Sequence, residues 1–138
     1  MVLLAVGKLR DRHVGALCDE YLARARRHLP VEVVEVDEAA ALTRRLPASG
    51  EVVALEPGGE SWNTERFAKH LEDRMNRGVR ALAFLIGGAD GLPAAVVARA
   101  DRRLSLSPLT LPHRLARLVL VEQIYRALTI IRGEPYSR

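Results

Sequence analysis

A glycine-rich turn directly after an apolar run is the first segment whose residue types could serve chemistry. It reads LIGGADGL over residues 85–92, with three glycines and one carboxylate, Asp90. Glycine lets a backbone approach a phosphate closely, but the dinucleotide fingerprint needs G-x-G-x-x-G and the P-loop needs G-x-x-x-x-G-K-[ST]. The turn has neither spacing. We therefore predict no phosphate site here. A tight structural turn that needs positive φ explains the glycines, and a ligand site of another kind stays open as the alternative.

An apolar loop further along the chain is the second candidate. It reads LSLSPLTLPH over residues 104–113, and its only hydroxyls are those of Ser105, Ser107 and Thr110. Apolar side chains beside free backbone groups suit an adenine, whose edge takes backbone hydrogen bonds and whose faces take aliphatic contacts. An ordinary strand-to-helix connection would explain the same residues.

His113 ends this loop, just before the last predicted helix. The positive end of a helix dipole disfavours a protonated imidazole, so His113 could be a neutral hydrogen-bonding group, and a capping or packing role is equally open. The other histidines, His13, His28 and His70, lack metal-ligand spacing with it, with one another or with Cys18. No G-x-S-x-G elbow occurs either, so we expect neither a metal site nor a serine triad.

Alternating strand-like and helix-like segments must position these loops. Apolar runs predict strands over residues 2–6, 31–36, 52–55, 81–86 and 104–106. Helical spacing predicts helices over 11–27, 39–46, 64–77, 93–100 and 114–131, with Asp11 as an N-terminal cap and Gly78 as a C-terminal stop. The segment EPGGES, residues 56–61, is predicted to be a loop.

This alternation predicts one α/β domain over residues 1–138, with a mostly parallel sheet flanked by helices. The residues alone suggest an unknotted, flavodoxin-like order of strands. Ligands of such sheets bind beyond the carboxyl ends of the strands. We therefore expect a site in the loops after Leu55, Ile86 and Leu106.

The charge of the chain permits a nucleic-acid partner. The formal net charge is +4, and Lys8 and Lys69 are the only lysines among 21 basic residues. Arginine pairs well with phosphate, although a general preference for arginine would give the same composition. The single cysteine, Cys18, excludes an intrachain disulfide and is predicted to be buried. No run approaches 18 apolar residues and the apolar start is too short for a signal peptide, so we expect a cytoplasmic protein that contacts no membrane.

The last predicted helix is apolar on more than one side. One side carries Leu115, Leu118, Val119 and Tyr125, and the other carries Leu120, Val121, Ile124, Leu128 and Ile131. One side can face the sheet, while the remainder needs another cover. This pattern predicts a homodimer.

Several short motifs are specific in combination and order. They are AVGK at 5–8, EYLAR at 20–24, LIGGADG at 85–91, LSLSPLTLPH at 104–113, LVEQIYRA at 120–127 and GEPY at 133–136. With them the chain resembles the RlmH (YbeA) family of SPOUT-class methyltransferases over essentially its whole length. The resemblance implies an α/β trefoil knot, a threading that local patterns would not suggest. It also implies a homodimer that transfers methyl from S-adenosylmethionine to N3 of a pseudouridine in 23S rRNA of assembled ribosomes.

The resemblance assigns a cofactor pocket to the same strand-end loops. The implied cofactor-binding residues are Leu55, Gly87, Leu106, Ser107, Pro108, Leu109, Thr110 and Leu111. The sulfonium of the cofactor is positive, so such a site needs no anion-binding nest and tolerates Asp90 nearby.

The resemblance leaves the general base open. N3 of a pseudouridine must lose a weakly acidic proton, and His113 and Tyr136 are the candidate catalytic residues. Arg114 and Arg138 are candidates for contacts to RNA phosphate or to a developing negative oxygen. The family tail commonly continues from tyrosine to histidine, whereas Ser137 stands there in this chain. A knotted methyltransferase of another RNA and a non-catalytic basic RNA-binding module remain alternatives.

Overall fold

The computed structural model describes residues 1–78 and 82–136. Its strands are β1 (Val2–Val6), β2 (Glu32–Val36), β3 (Glu51–Ser61), β4 (Leu82–Ile86) and β5 (Arg102–Ser105). Its helices are α1 (Arg12–Ala25), α2 (Leu42–Arg45), α3 (Thr64–Asn76), α4 (Ala94–Val97) and α5 (His113–Arg132), with a 3-10 turn at Ala39–Ala41 before α2. The predicted alternation of strands and helices is confirmed.

The strands form one parallel sheet in the order β2-β1-β4-β3-β5. Every residue of the central strand β4, LAFLI, is buried, because helices cover both faces of the sheet. The flavodoxin-like order is wrong, since β4 lies beside β1 and β3 lies further out. Local periodicity predicts that β3 and β4 are joined by a helix, but it does not say in which direction the connection runs. The threading of the chain end stays a prediction.

Two apolar layers hold the helices to the sheet. Leu3, Val53 and Phe84 point from the strands into the layer formed with α1, α3 and α5. Their strand neighbours, such as Leu4 and Leu85, point into the opposite layer with α2 and α4. The alternation of side chains along each strand therefore divides the core between the two faces. Cys18 is buried in the first layer, as predicted.

Side-chain caps fix where the long helices begin. The carboxylate of Asp11 accepts hydrogen bonds from the backbone amides of His13 and Val14, at 3.0 and 3.1 Å. Asn63 accepts from the backbone amide of Arg66 at 2.8 Å and caps α3 in the same way. Gly78 follows α3 with φ of +70°, so the predicted cap and stop are both confirmed.

The predicted loop at 56–61 is wrong, because β3 continues to Ser61. After an irregularity, its second half pairs with β5 at Glu60↔Leu104 and Ser61↔Ser105. Gly59 suggests a turn in sequence, but a glycine is needed there for close contact between the strands. A Cβ at this position would lie 2.6 Å from the carbonyl carbon of Arg103.

Two further boundaries differ from prediction. The strand predicted at 104–106 lies at Arg102–Ser105, because its first two residues pair with β3 at a sheet edge where charged side chains remain accessible. The helix predicted over 93–100 ends at Val97. The predicted start of β4 at Ala81 lies outside the described residues. None of the helices described is long and apolar enough to span a membrane.

Candidate active site

A cavity of about 730 Å³ opens at the carboxyl ends of β4 and β5, beside the irregularity that follows Leu55 in the middle of β3. The loops that follow β4 and β5, this part of β3 and the first turn of α5 form its walls. The lining includes all eight residues that the resemblance assigns to the cofactor: Leu55, Gly87, Leu106, Ser107, Pro108, Leu109, Thr110 and Leu111. Residues from three separate parts of the chain therefore meet where parallel sheets bind ligands. Their role toward a cofactor stays a prediction.

The glycine turn forms one wall by folding back on itself. The amide of Gly91 donates to the carbonyl of Gly88 at 3.0 Å, and Gly91 alone among the three glycines of the turn has positive φ, at +75°. A Cβ on Gly87 would lie 2.6 Å from the carbonyl carbon of Gly91. Gly87 is therefore required because the two arms of the turn touch, and its missing Cβ points at Gly91.

The apolar loop forms the opposite wall, and two serine hydroxyls shape it. The hydroxyl of Ser105 donates to the carbonyl of Ser107, and the hydroxyl of Ser107 accepts from the amide of Leu109, both at 2.9 Å. Over the part of the chain that the structure describes, the backbone amides of Thr110 and Leu111 have no hydrogen-bond acceptor. These amides are available to the polar edge of a ligand, while the side chains around them are mostly apolar.

The charge of the cavity is opposite to that of the whole chain. Its ionisable lining residues, within the described ranges, are Glu56, Asp90 and His113, and no arginine or lysine is among them. A phosphate would face two carboxylates here without a cation to bind it. A ligand with a positive group fits this lining better.

The structure separates the two candidate bases. His113 is the first residue of α5 and lines the cavity, whereas Tyr136 does not. The hydroxyl of Tyr136 donates to a carboxylate oxygen of Glu122 at 3.3 Å, and its ring packs edge-on against Tyr125. Glu122 lies nine residues beyond His113, which is about 13 Å along a helix axis.

The surroundings of Tyr136 also disfavour a basic role. Burial raises the pKa of Tyr136 far above its ordinary value, and a hydrogen bond with Tyr21 and the negative charge of Glu122 raise it further. A phenol with a raised pKa stays protonated near neutral pH and cannot accept a proton. Within one chain, His113 is thus the candidate base that reaches the cavity.

Only one of the two candidate RNA-contacting arginines can be placed. Arg114 is exposed beside His113, and its Nε lies 3.7 Å from Oδ2 of Asp11, the residue that caps α1. Arg138 lies outside the described residues. Arg114 is not among the residues that line the cavity. A contact of Arg114 or Arg138 with RNA stays a prediction from the sequence.

An ion pair between the buried Arg117 and the partly exposed Glu35 was missed from the sequence. The guanidinium of Arg117 contacts the carboxylate of Glu35 at 2.5 Å and donates to the carbonyl of Gly7 at 3.1 Å. Glu35 also accepts from the backbone amide of Leu9 at 3.0 Å. The sequence does carry a signal: Arg117 is four residues after His113 and in helical register with the buried positions Leu120, Val121 and Ile124. An arginine on a buried stripe indicates an internal partner.

No metal centre is found among the residues described, since no group of three or more His, Cys, Asp or Glu side chains could hold an ion.

Comparison with known proteins defines the class of this fold and cavity. A family model described as "Predicted SPOUT methyltransferase" matches residues 1–137. The chain belongs to the SPOUT methyltransferase family.

Within that family, the names of similar relatives state a particular activity. The chain is 49% identical to "Ribosomal RNA large subunit methyltransferase H" of Sorangium cellulosum, over 99% of this chain and 98% of the relative. It is 43% identical to the protein of the same name in Gemmatimonas aurantiaca, over 100% of this chain and 99% of the relative. The family predicted from the short motifs is confirmed.

Solved structures agree with the fold. The SpoU methyltransferase AviRb from Streptomyces viridochromogenes, in complex with AdoMet, matches with a TM-score of 0.54 at 15% identity, covering 91% of this chain and 57% of AviRb. TrmJ from Z. mobilis matches with a TM-score of 0.52 at 14% identity, covering 99% of this chain and 71% of TrmJ. At these identities the similarity concerns the fold.

Proposed function

We propose that the protein uses S-adenosylmethionine to methylate N3 of a pseudouridine in 23S rRNA of the large ribosomal subunit. It acts as a homodimer on assembled ribosomes in the cytoplasm. The observation that carries the proposal is the cavity at the carboxyl ends of β4 and β5 and the middle of β3, because it unites the eight expected residues in a chain of the SPOUT family. The high identity to relatives named as large-subunit rRNA methyltransferases supports the choice of RNA.

The residues of the cavity fit this cofactor. The loop at 106–111 offers aliphatic side chains and the free amides of Thr110 and Leu111 to an adenosine. Glu56 and Asp90 supply negative charge, which a sulfonium tolerates and a phosphate does not. When bound, the cofactor supplies an electrophilic methyl group.

His113 and the first turn of α5 act on the pseudouridine base that receives the methyl group. His113 accepts the proton that N3 loses, since it is the candidate base that lines the cavity. The amino end of α5 carries the positive end of the helix dipole and stabilises the negative charge that remains on the pyrimidine. Holding N3 against the methyl donor accounts for much of the remaining acceleration.

The outer surface of α5 supports the proposed dimer. Leu115, Leu118 and Val119 are only partly buried by their own chain, although α1 and α3 flank the helix. Ile130, near the end of α5, and Leu17 on α1 are exposed. A second copy would cover this apolar surface. Measurement of the mass in solution at micromolar concentration tests the dimer, and a monomeric mass would contradict it.

Methyl transfer from labelled S-adenosylmethionine tests the activity. Assembled ribosomes, isolated large subunits, naked 23S rRNA and tRNA are compared as substrates, and the modified base is located by mass spectrometry of nuclease fragments. We expect label at N3 of a pseudouridine in 23S rRNA, with the highest rate on assembled ribosomes. Label only in tRNA indicates an enzyme for another RNA. Salt-dependent RNA binding without transfer, and without thermal stabilisation by the cofactor, indicates a non-catalytic RNA-binding module.

A further inference from the structure

A second, smaller cavity lies at the opposite end of α5 from the candidate active site. Its volume is about 240 Å³, and the carboxyl ends of α1 and α5 meet there. The residues that line it are Arg24, Arg27, His28, Tyr125, Arg132 and Glu134. In contrast to the larger cavity, this lining is dominated by cations.

The positive charge in this cavity is only partly balanced. Arg24 forms an ion pair with Glu20, and His28 lies 3.5 Å from the carboxylate of Glu134. Arg27 and Arg132 have neither an ion pair nor a side-chain hydrogen bond with any other described residue. Two guanidinium groups thus line one small cavity without an ion-paired carboxylate, and the single carboxylate of the lining, Glu134, lies beside His28.

Helix capping does not account for these arginines. Cations are favoured at the carboxyl end of a helix, where they can bond the last free carbonyls. Arg26 makes a bond to a backbone carbonyl, since its Nε donates to Val31 at 2.8 Å. Among the residues described, the side chains of Arg24, Arg27 and Arg132 donate to no backbone carbonyl. The guanidinium donors of Arg27 and Arg132 remain available to a ligand.

The geometry points to a phosphate group as the ligand. A guanidinium presents parallel N–H donors that match two phosphate oxygens, and several such groups around one small polar cavity suit a single phosphate. Tyr125 helps to hold Arg24 in place, with the guanidinium carbon 5.6 Å from the centre of its ring. We infer that this cavity, which we call the arginine cavity, binds a backbone phosphate of the RNA substrate. The inference rests on the proposed function for the identity of that RNA.

The position of the arginine cavity indicates how large an RNA must be to contact both this cavity and the active site. α5 has 20 residues and is therefore about 30 Å long, with His113 at one end and Arg132 at the other. Within one chain, an RNA that contacts both the active site and the arginine cavity must span this length, which a large folded RNA can do.

The test compares two double variants of equal charge. Arg27→Ala with Arg132→Ala removes the two unpaired cations of the arginine cavity. Arg44→Ala with Arg45→Ala removes two exposed arginines of α2 and serves as the control. Binding of each protein to ribosomal particles is measured over a range of salt concentrations. We expect the cavity variant to bind on the order of tenfold more weakly. The slope of log affinity against log salt becomes shallower by about 1 for each phosphate that the variant no longer binds, and the control keeps both values near wild type.

Two outcomes would overturn this inference. Equal affinity and equal salt slope in the two double variants would overturn it. Thermal stabilisation of the wild type by millimolar inorganic phosphate, abolished in the cavity variant while ribosome binding is unchanged, would mean that the cavity takes free phosphate, which also overturns the inference. Thermal stabilisation by S-adenosylmethionine must be unaffected in both variants. The binding measurements do not depend on methyl transfer. A failure of the proposed methyl transfer would therefore be recognised separately from a failure of this inference.

Discussion

Arg117 on α5 forms an ion pair with Glu35 on β2, which lies 82 positions earlier in the chain. The side chain of Arg117 is 8% exposed, while that of Glu35 is 33% exposed. Arg117 also donates to the carbonyl of Gly7, so it joins the first turns of α5 to the ends of two strands. His113 and Ala116, in those same turns, line the candidate active site. The pair therefore fixes the part of α5 on which the proposed base stands.

Glu35→Gln is expected to destabilise the fold, because it leaves the buried guanidinium of Arg117 without its counter-charge. We expect a loss of roughly 1–2 kcal/mol in the free energy of unfolding, because solvent reaches Glu35 and screens part of the interaction. Urea denaturation at pH 7 measures it. Glu38→Gln is the control, since Glu38 is exposed and its side chain caps no helix. Equal losses in the two variants would show that the ion pair contributes nothing specific.

The same pair predicts how stability depends on pH. Burial acts to raise the pKa of Glu35, but the hydrogen bonds from Arg117 and from the amide of Leu9 outweigh it, and the pKa lies below its ordinary value of 4.5. A carboxylate with a lowered folded pKa stabilises the protein fully above its unfolded pKa, and this contribution is lost as the pH falls through the folded pKa.

The difference in unfolding free energy between wild type and Glu35→Gln should therefore be constant from pH 7 to about pH 5.5. It should narrow progressively below 4.5. Denaturation curves at half-unit steps of pH measure this difference. A gap that is as wide at pH 3 as at pH 7 would contradict the assignment.

Gly87→Ala and Gly88→Ala are expected to differ sharply, although both residues line the same cavity. The new Cβ at position 87 would lie 2.6 Å from the backbone of Gly91, so the turn must shift. At position 88 the nearest atom is Cγ1 of Val6, at an ordinary 3.5 Å. We expect Gly87→Ala to cost about 1–3 kcal/mol of stability and at least about tenfold in affinity for S-adenosylmethionine.

Calorimetric titration and thermal unfolding measure the two effects, and Gly88→Ala should stay close to wild type in both. If Gly87→Ala bound the cofactor with normal affinity, the wall formed by the turn would have no part in the site.

The sequence predicts the elements of this fold better than their arrangement. The buried run at β4 and the helical spacing of α3 are local patterns, and both elements are confirmed. The order of the strands depends on the direction in which each connection crosses the sheet, which no local pattern records. Gly59 shows at a single residue that local patterns do not record which strands come together. In sequence it suggests a turn, but it is glycine because two strands touch there.

The site was predictable where its residues follow strand ends. Gly87 and the loop at 106–111 meet because the carboxyl ends of β4 and β5 share one edge of the sheet, and Leu55 joins them where the regular pairing of β3 is interrupted. Glu35 was not predictable, because its partner Arg117 lies on the last helix, far along the chain. The separation of Tyr136 from the cavity likewise depends on how the tail packs against α5.

Ser107→Ala tests whether the apolar loop must be held in shape to bind the cofactor. The hydroxyl of Ser107 accepts from the amide of Leu109, and Leu109 is 76% exposed at the rim of the cavity. Loss of one hydrogen bond of about 1 kcal/mol should weaken S-adenosylmethionine binding about fivefold. Ser61→Ala, an exposed serine on β3, is the control, and calorimetric titration is the measurement. Equal affinities in the two variants would show that the loop keeps its shape without this bond.

His113→Ala should separate catalysis from cofactor binding. His113 lines the cavity, but the loop at 106–111 supplies most of the apolar contact surface, so cofactor affinity is expected to stay within a few-fold of wild type. Removal of a general base typically lowers the rate by at least about 100-fold, and single-turnover methyl transfer on saturating ribosomes measures that step. Arg114→Ala is the matched change at the next residue. It should raise the ribosome concentration needed for half-maximal rate and leave the saturated rate nearly unchanged, because Arg114 is exposed and does not line the cavity. A saturated rate that is normal in His113→Ala would remove His113 as the base and leave positioning by the cavity as the source of catalysis.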